Sequence, residues 1–151
     1  MEDIIIREMI MEDIDELSAL YYDFWNEESD SQMMKQEFHN LIDNKDYIFL
    51  SAISNGILAG AVMGIVCHEL YGKCKPFLVM EDFIVRSNCR NKGIGKKLLE
   101  KLEEIAEERG CSQIQFITEA NRYNTIKFYE KCGYESNKNI GFKKKFLNLM
   151  N

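Results

Sequence analysis

Ile4-Ile5-Ile6-Arg7 is an apolar run of strand length. From Asp13 the period changes. Ile14, Leu17, Leu20, Tyr21 and Phe24 recur at helical spacing and predict a helix capped by Asp13 and running to about Trp25. The polar stretch 26–32 interrupts it, and a second helix is expected from Met33 to Ile42. Two apolar runs, Tyr47 to Ser54 and Ile57 to Val66, flank Asn55-Gly56, a strong signal for a two-residue hairpin whose turn positions both need positive φ. Phe77 to Val85 reads as another strand, set off by Tyr71-Gly72-Lys73. Gly93 to Arg109 is the clearest helix: Ile94, Leu98, Leu102, Ile105 and Ala106 form one stripe, and Gly110 stands at its stop. Gln113 to Thr118 is expected as a strand with Ile114 and Phe116 on one face. Asn124 to Cys132 is expected as a short helix closed by Gly133, and Ile140 to Leu147 as a last strand.

The order β-α-α-β-β-β-α-β-α-β predicts a mixed sheet with helices on both faces, an α/β or α+β class. No linker, repeat or low-complexity tract divides the chain, so residues 1–151 are expected to form a single domain. A chain of 151 residues with 46% hydrophobic side chains can bury a core without disulfides or metal.

A net charge of −6 argues against a nucleic-acid-binding surface, which shows as a basic excess. It reads as ordinary solubility charge or as a field that draws a cationic substrate. Five cysteines without a C-x-x-C pair are neither a disulfide framework nor a zinc spacing, so no metal is expected. With an acidic start at Glu2-Asp3 and no apolar run of membrane length, the simplest compartment is a reducing cytoplasm, with no membrane partner.

The candidate chemistry begins after the strand ending at Val85, in Arg90-Asn91-Lys92-Gly93-Ile94-Gly95-Lys96-Lys97. Two glycines open a helix, where unpaired N–H groups and the positive dipole end suit a pyrophosphate, and Arg90, Lys92, Lys96 and Lys97 add charge. The P-loop pattern fails, because position 90 is Arg90 and position 97 is Lys97. The dinucleotide fingerprint fails at Leu98. What remains is R-x-x-G-x-G.

This motif, followed by a long helix, a strand and Phe128-Tyr129-Glu130-Lys131-Cys132-Gly133-Tyr134, resembles the GNAT superfamily of N-acetyltransferases, whose F-Y-x-x-x-G-[FY] signature is matched in full. Met80-Glu81-Asp82-Phe83-Ile84-Val85 resembles the family's fourth strand. The resemblance implies the GNAT fold, a mostly antiparallel mixed sheet with splayed central strands, and acetyl-CoA as co-substrate. It implies that the backbones of Phe83, Ile84 and Val85 hold the pantetheine and that Arg90, Asn91, Lys92, Gly93, Ile94, Gly95 and Lys96 cradle the pyrophosphate. Asn124 and Phe128 would flank the arm or the adenine, and Lys131 would reach a phosphate or stay solvated. Where many members carry N-x-x-A before the F-Y pair, this chain has Asn121-Arg122-Tyr123-Asn124-Thr125, which displaces the asparagine. Together with Gly141-Phe142, the stretch resembles a small-amine subgroup.

Acetyl transfer to an amine needs a proton removed from the ammonium, donors for the tetrahedral oxyanion and a proton for the departing thiolate. By resemblance Tyr129 is the acid, Glu81 the base and the Val85 N–H the oxyanion donor. The plain alternatives are a buried aromatic at Tyr129 and a solvated strand carboxylate at Glu81, with a water chain as the base. Glu81 and Asp82 alternate across a strand, so only one is expected to enter the cleft. His39 and His68 read as structural or exposed. For the acceptor, Tyr22, Trp25 and Glu28, in a stretch that also holds Tyr21, Glu27 and Asp30, would suit an ammonium through cation–π and charge contacts. The expected reaction is direct attack in a ternary complex by a primary amine of a small cationic substrate, such as a polyamine, amino acid or aminoglycoside. The alternatives are a protein or peptide N-acetyltransferase and a non-catalytic acyl-CoA-binding module. The family also implies a possible homodimer.

Overall fold

A computed structural model describes residues 3–146. The chain divides into two compact units, Met1–Phe116 and Ile117–Asn151. The first contains five strands, β1 (Ile4–Glu8), β2 (Tyr47–Ser54), β3 (Ile57–Cys67), β4 (Phe77–Val85) and β5 (Ile114–Gln115), with helices α1 (Ile14–Trp25), α2 (Ser31–Leu41) and α3 (Ile94–Glu108). The second contains α4 (Tyr123–Lys131). Among the described residues, no helix is long and apolar enough to cross a membrane.

The five strands lie in the order β1-β2-β3-β4-β5. All neighbours are antiparallel except β4 and β5, which run parallel. The β2–β3 hairpin turns on Asn55 and Gly56, at φ 50 and 78, the left-handed values that an N-G turn supplies. Successive strand residues face opposite sides, and β3 shows what each side carries. A Cβ on Gly60 would stand 3.1 Å from Leu98 of α3, and one on Gly64 would stand 2.8 Å from Leu102. The absent side chains let α3 lie directly on this face, with Ile94, Leu98, Leu99, Leu102 and Ala106 buried. Ala61, on the other face, joins Ile14, Leu17, Leu20 and Phe38 in the core beneath α1 and α2.

Differences from the sequence reading have identifiable causes. α2 starts two residues before Met33 because Asp30 accepts from the N–H groups of Gln32 and Met33 at 3.0 and 3.1 Å, an N-cap. Asp13 sits just before α1, but its carboxylate caps nothing in that helix. It accepts instead from both Arg7 Nη atoms (2.7 and 2.9 Å), Ser51 Oγ (2.9 Å) and the Ile10 N–H (3.1 Å). β5 is two residues long, because its ladder with β4 consists of the pairs Leu78↔Ile114 and Val79↔Gln115. The strand expected from Ile140 to Leu147 is absent over 140–146, and Leu147 lies outside the described residues. Its alternation is real, but Ile140 and Phe142 are 82% and 92% exposed, and alternation without a neighbouring strand makes no ladder.

Candidate active site

β4 carries the site. Its last residue paired with β5 is Val79, opposite Gln115, yet it runs on to Val85, so the parallel ladder ends before its C-terminal half. On the β3 side the register passes from Met63↔Glu81 to Ala61↔Ile84, leaving Asp82 and Phe83 opposite the single residue Val62. This is a β-bulge, with Asp82 in the left-handed region at φ 53. The alternation expected for Glu81 and Asp82 does not hold across it. Glu81 shares the register position of Met63 and is exposed. Asp82 lines a cavity of about 200 Å³ between the sheet, α1 and α2.

The cavity wall is apolar: Leu17 from α1, Met34, Phe38 and Leu41 from α2, and Phe49 from β2. Its polar side chains are Tyr21, Glu37 and Asp82, and among the described residues lining it there is no lysine, arginine or histidine. Asp82 is exposed, yet partial desolvation of its carboxyl among these groups raises its pKa above the ordinary carboxylate value. Burial raises the Tyr21 phenol as well, and the charge of Asp82 adds to the effect.

After β4, Arg86 ties the strand end to its surroundings. Its N–H donates to Ala59 O at 2.7 Å and its Nε to Leu58 O at 2.9 Å. A single turn, Ser87–Cys89, then buries Cys89, a packing position, and Arg90 donates from Nε to Val85 O at 3.3 Å. The Arg90 guanidinium lies 5.7 Å from the Phe24 ring centroid. Asn91 and Gly93 both have positive φ (63 and 82), and Gly93 is the N-cap of α3. A Cβ there would meet nothing within 4 Å, so glycine is needed for the backbone turn and the space beside it is open. No side chain caps the helix. The first-turn N–H groups of Ile94, Gly95 and Lys96 therefore face that space with Lys92 and Lys96 exposed nearby. This arrangement fits a pyrophosphate.

In the second unit, Tyr129 is buried within α4 beside Phe128 (centroids 5.4 Å apart) and Tyr134 (6.1 Å). Burial pushes its phenol up to about 12, partly offset by Arg122. Asn124 and Lys131 are exposed at opposite ends of α4.

The expected acceptor residues divide. Tyr22 and Glu28 line a second, open depression over α1 and the α1–α2 connection. Trp25 is exposed, with its ring 5.1 Å from that of Tyr21. Asp30 is the α2 cap. Sequence reasoning passed over Glu37 and favoured Glu81 over Asp82, whereas Tyr21 stood in the stretch expected to meet the acceptor. The i, i+4, i+7 spacing of Met34, Phe38 and Leu41 was a signal for the α2 wall, whereas nothing local announced the bulge.

Residues 13–134 match a family model described as the acetyltransferase (GNAT) family. The uncharacterized protein YdhI of Bacillus subtilis is 34% identical over 51% of this chain, a match spanning 45% of that protein's length. Glucosamine 6-phosphate N-acetyltransferase 1 of Dictyostelium discoideum is 27% identical over 82% of this chain and 81% of its own. The crystal structure of glucosamine-6-phosphate N-acetyltransferase from Arabidopsis thaliana superposes with a TM-score of 0.81 at 23% identity, covering 95% of this chain and 99% of that one.

Proposed function

The chain belongs to the GNAT family of acetyltransferases, acyltransferases that use acetyl-CoA, and on that premise we propose that it acetylates the primary amine of a small cationic molecule. The observation that carries this reading is the bulge of β4, which sets a carboxylate at a half-open apolar cavity on the strand that leads into an uncapped, basic helix N-terminus. The family model spans both compact units, which supports reading them as one catalytic domain.

Each residue then has a task. The loop from Arg90 to Lys96 holds the pyrophosphate of acetyl-CoA, and the backbone of Phe83 to Val85 holds the pantetheine. Asn124, Phe128 and Lys131 serve its far end. A carboxylate of the Glu81–Asp82 pair takes the proton from the ammonium, and the cavity lining favours Asp82. The free amine attacks the acetyl carbonyl, the Val85 N–H receives the developing oxyanion, and Tyr129 protonates the departing thiolate. A phenol raised to about 12 stays protonated at neutral pH, as a donor must.

The relatives named for glucosamine 6-phosphate favour a second reading, an aminosugar phosphate acceptor. The absence of any cation among the described cavity-lining residues speaks against it.

The test is CoA release from acetyl-CoA across a panel of small amines and peptides. Release with small amines is expected, and release with peptides alone would overturn the reading. Tyr129→Phe is expected to lower kcat by about 10²-fold, the lower end of general-acid contributions, with acetyl-CoA affinity nearly unchanged. An unchanged kcat removes Tyr129 from the mechanism.

A further inference from the structure

We infer that the acceptor is a primary amine carried on a compact apolar body, about one ring with a short tether or a branched alkyl chain. This rests on the acetyl-transfer reading and narrows its substrate class.

The argument is the match between the cavity's size, its wall and the placement of its charges. An apolar protein cavity of about 150 Å³ holds benzene, so a volume of about 200 Å³ accommodates a ring and a two-carbon tether. The wall is supplied by Leu17, Met34, Phe38, Leu41 and Phe49, which offer contact surface and no hydrogen bonds from their side chains. Both lining carboxylates, Asp82 and Glu37, are exposed while Phe38 and Leu17 are buried. Charge is therefore available at the mouth and absent from the depth. A monoamine satisfies this division, with its ammonium at Asp82 and its apolar body inward.

Other amine classes do not. A polyamine that enters the cavity would place a second ammonium against the apolar wall, where its lost hydration has no replacement. An aminosugar would leave its hydroxyls without partners, because the polar side chains present are one phenol and two carboxylates. A phosphate group would meet those same two carboxylates with no cation among the described lining residues.

The full chain is assayed for CoA release with 2-phenylethylamine and isoamylamine against spermidine, glucosamine 6-phosphate and kanamycin. The apolar amines are expected to show kcat/KM at least about 10-fold higher, the discrimination that one or two buried methylenes provide. A preference for any of the three polar amines overturns the inference and leaves acetyl transfer standing. CoA release with none of the five, while acetyl-CoA still binds, overturns the acetyl-transfer reading and the inference with it. Met34→Trp, which fills the cavity, is expected to raise KM for 2-phenylethylamine about 10-fold with KM for acetyl-CoA unchanged. An unchanged amine KM in a variant of wild-type Tm places the amine elsewhere. The wild-type panel decides the matter even where this variant does not fold.

Discussion

Asp82→Asn is expected to lower kcat/KM for the amine by about 10²–10³-fold, within the range attributed to a positioned general base. The substitution keeps the size of the side chain. It also keeps the backbone, because asparagine is among the residues best tolerated at positive φ, and position 82 stands at φ 53. What it removes is the ability to accept a proton. Burial raises the Asp82 pKa, so the base must lose its proton above the ordinary aspartate value of about 3.9 before it can work. The acid limb of kcat/KM against pH should accordingly lie above that value in the wild type and disappear in Asp82→Asn. Glu81→Gln is the control, with a smaller expected loss, since Glu81 does not line the cavity. If Glu81→Gln causes the larger loss and removes the acid limb, the base is Glu81.

The largest expected effect on stability is at Asp13, which has no proposed part in the chemistry. The residue is buried at 6% exposure, and its carboxylate accepts four hydrogen bonds, from Arg7, Ser51 and the Ile10 N–H. Burial alone would raise its pKa, but these donors outweigh burial, and the net displacement is downward. Asp13→Ala leaves the Ser51 hydroxyl, 0% exposed, without its acceptor, and Arg7 without its partner. Breaking a buried pair costs about 3–5 kcal/mol. Arg7 is 34% exposed and can turn to water, which puts the loss near about 3 kcal/mol. For a chain of this length that is a fall in Tm of about 6–12 °C. The pH dependence has a definite sign. A folded pKa below the unfolded value means that Asp13 stabilises the fold above about pH 4 and that this stability is lost as pH falls through the folded pKa. The Tm of Asp13→Ala should therefore fall less steeply than that of the wild type as pH drops below about 4. A Tm within about 2 °C of wild type would show that the network contributes little.

Much of the fold was legible from local patterns, because local patterns encode local structure. Asn55-Gly56 specifies a hairpin through its backbone preference, and the hairpin forms there. The stripe from Ile94 to Ala106 specifies one helix face, and that face is buried, although Leu99 is buried with it and Ile105 is only half-buried. Arg90 to Gly95 specifies a strand-to-helix turn, and Gly93 caps α3 at positive φ. The alternation of Ile140 to Phe146 shows the limit. It describes a strand's two faces but says nothing about whether another strand lies alongside.

The site separates the two kinds of information. By itself the sequence determined the family and the strand-to-helix turn at Gly93, because each depends on residues close together in the chain. Which carboxylate of the Glu81–Asp82 pair lines the cavity was decided by pairing between β3 and β4, where one extra residue opposite Val62 re-aims Asp82. Whether Asp13 caps a helix or holds Arg7 and Ser51 was decided by a strand 38 positions away. The character of the cavity was decided by Leu17, Phe38, Phe49 and Asp82 coming from four separate elements. Periodicity can assign each of these residues to an element and a face. Only the packing of those elements against one another tells which side chains share a space, because the free energy of burial and pairing belongs to the assembled set and not to any segment of it.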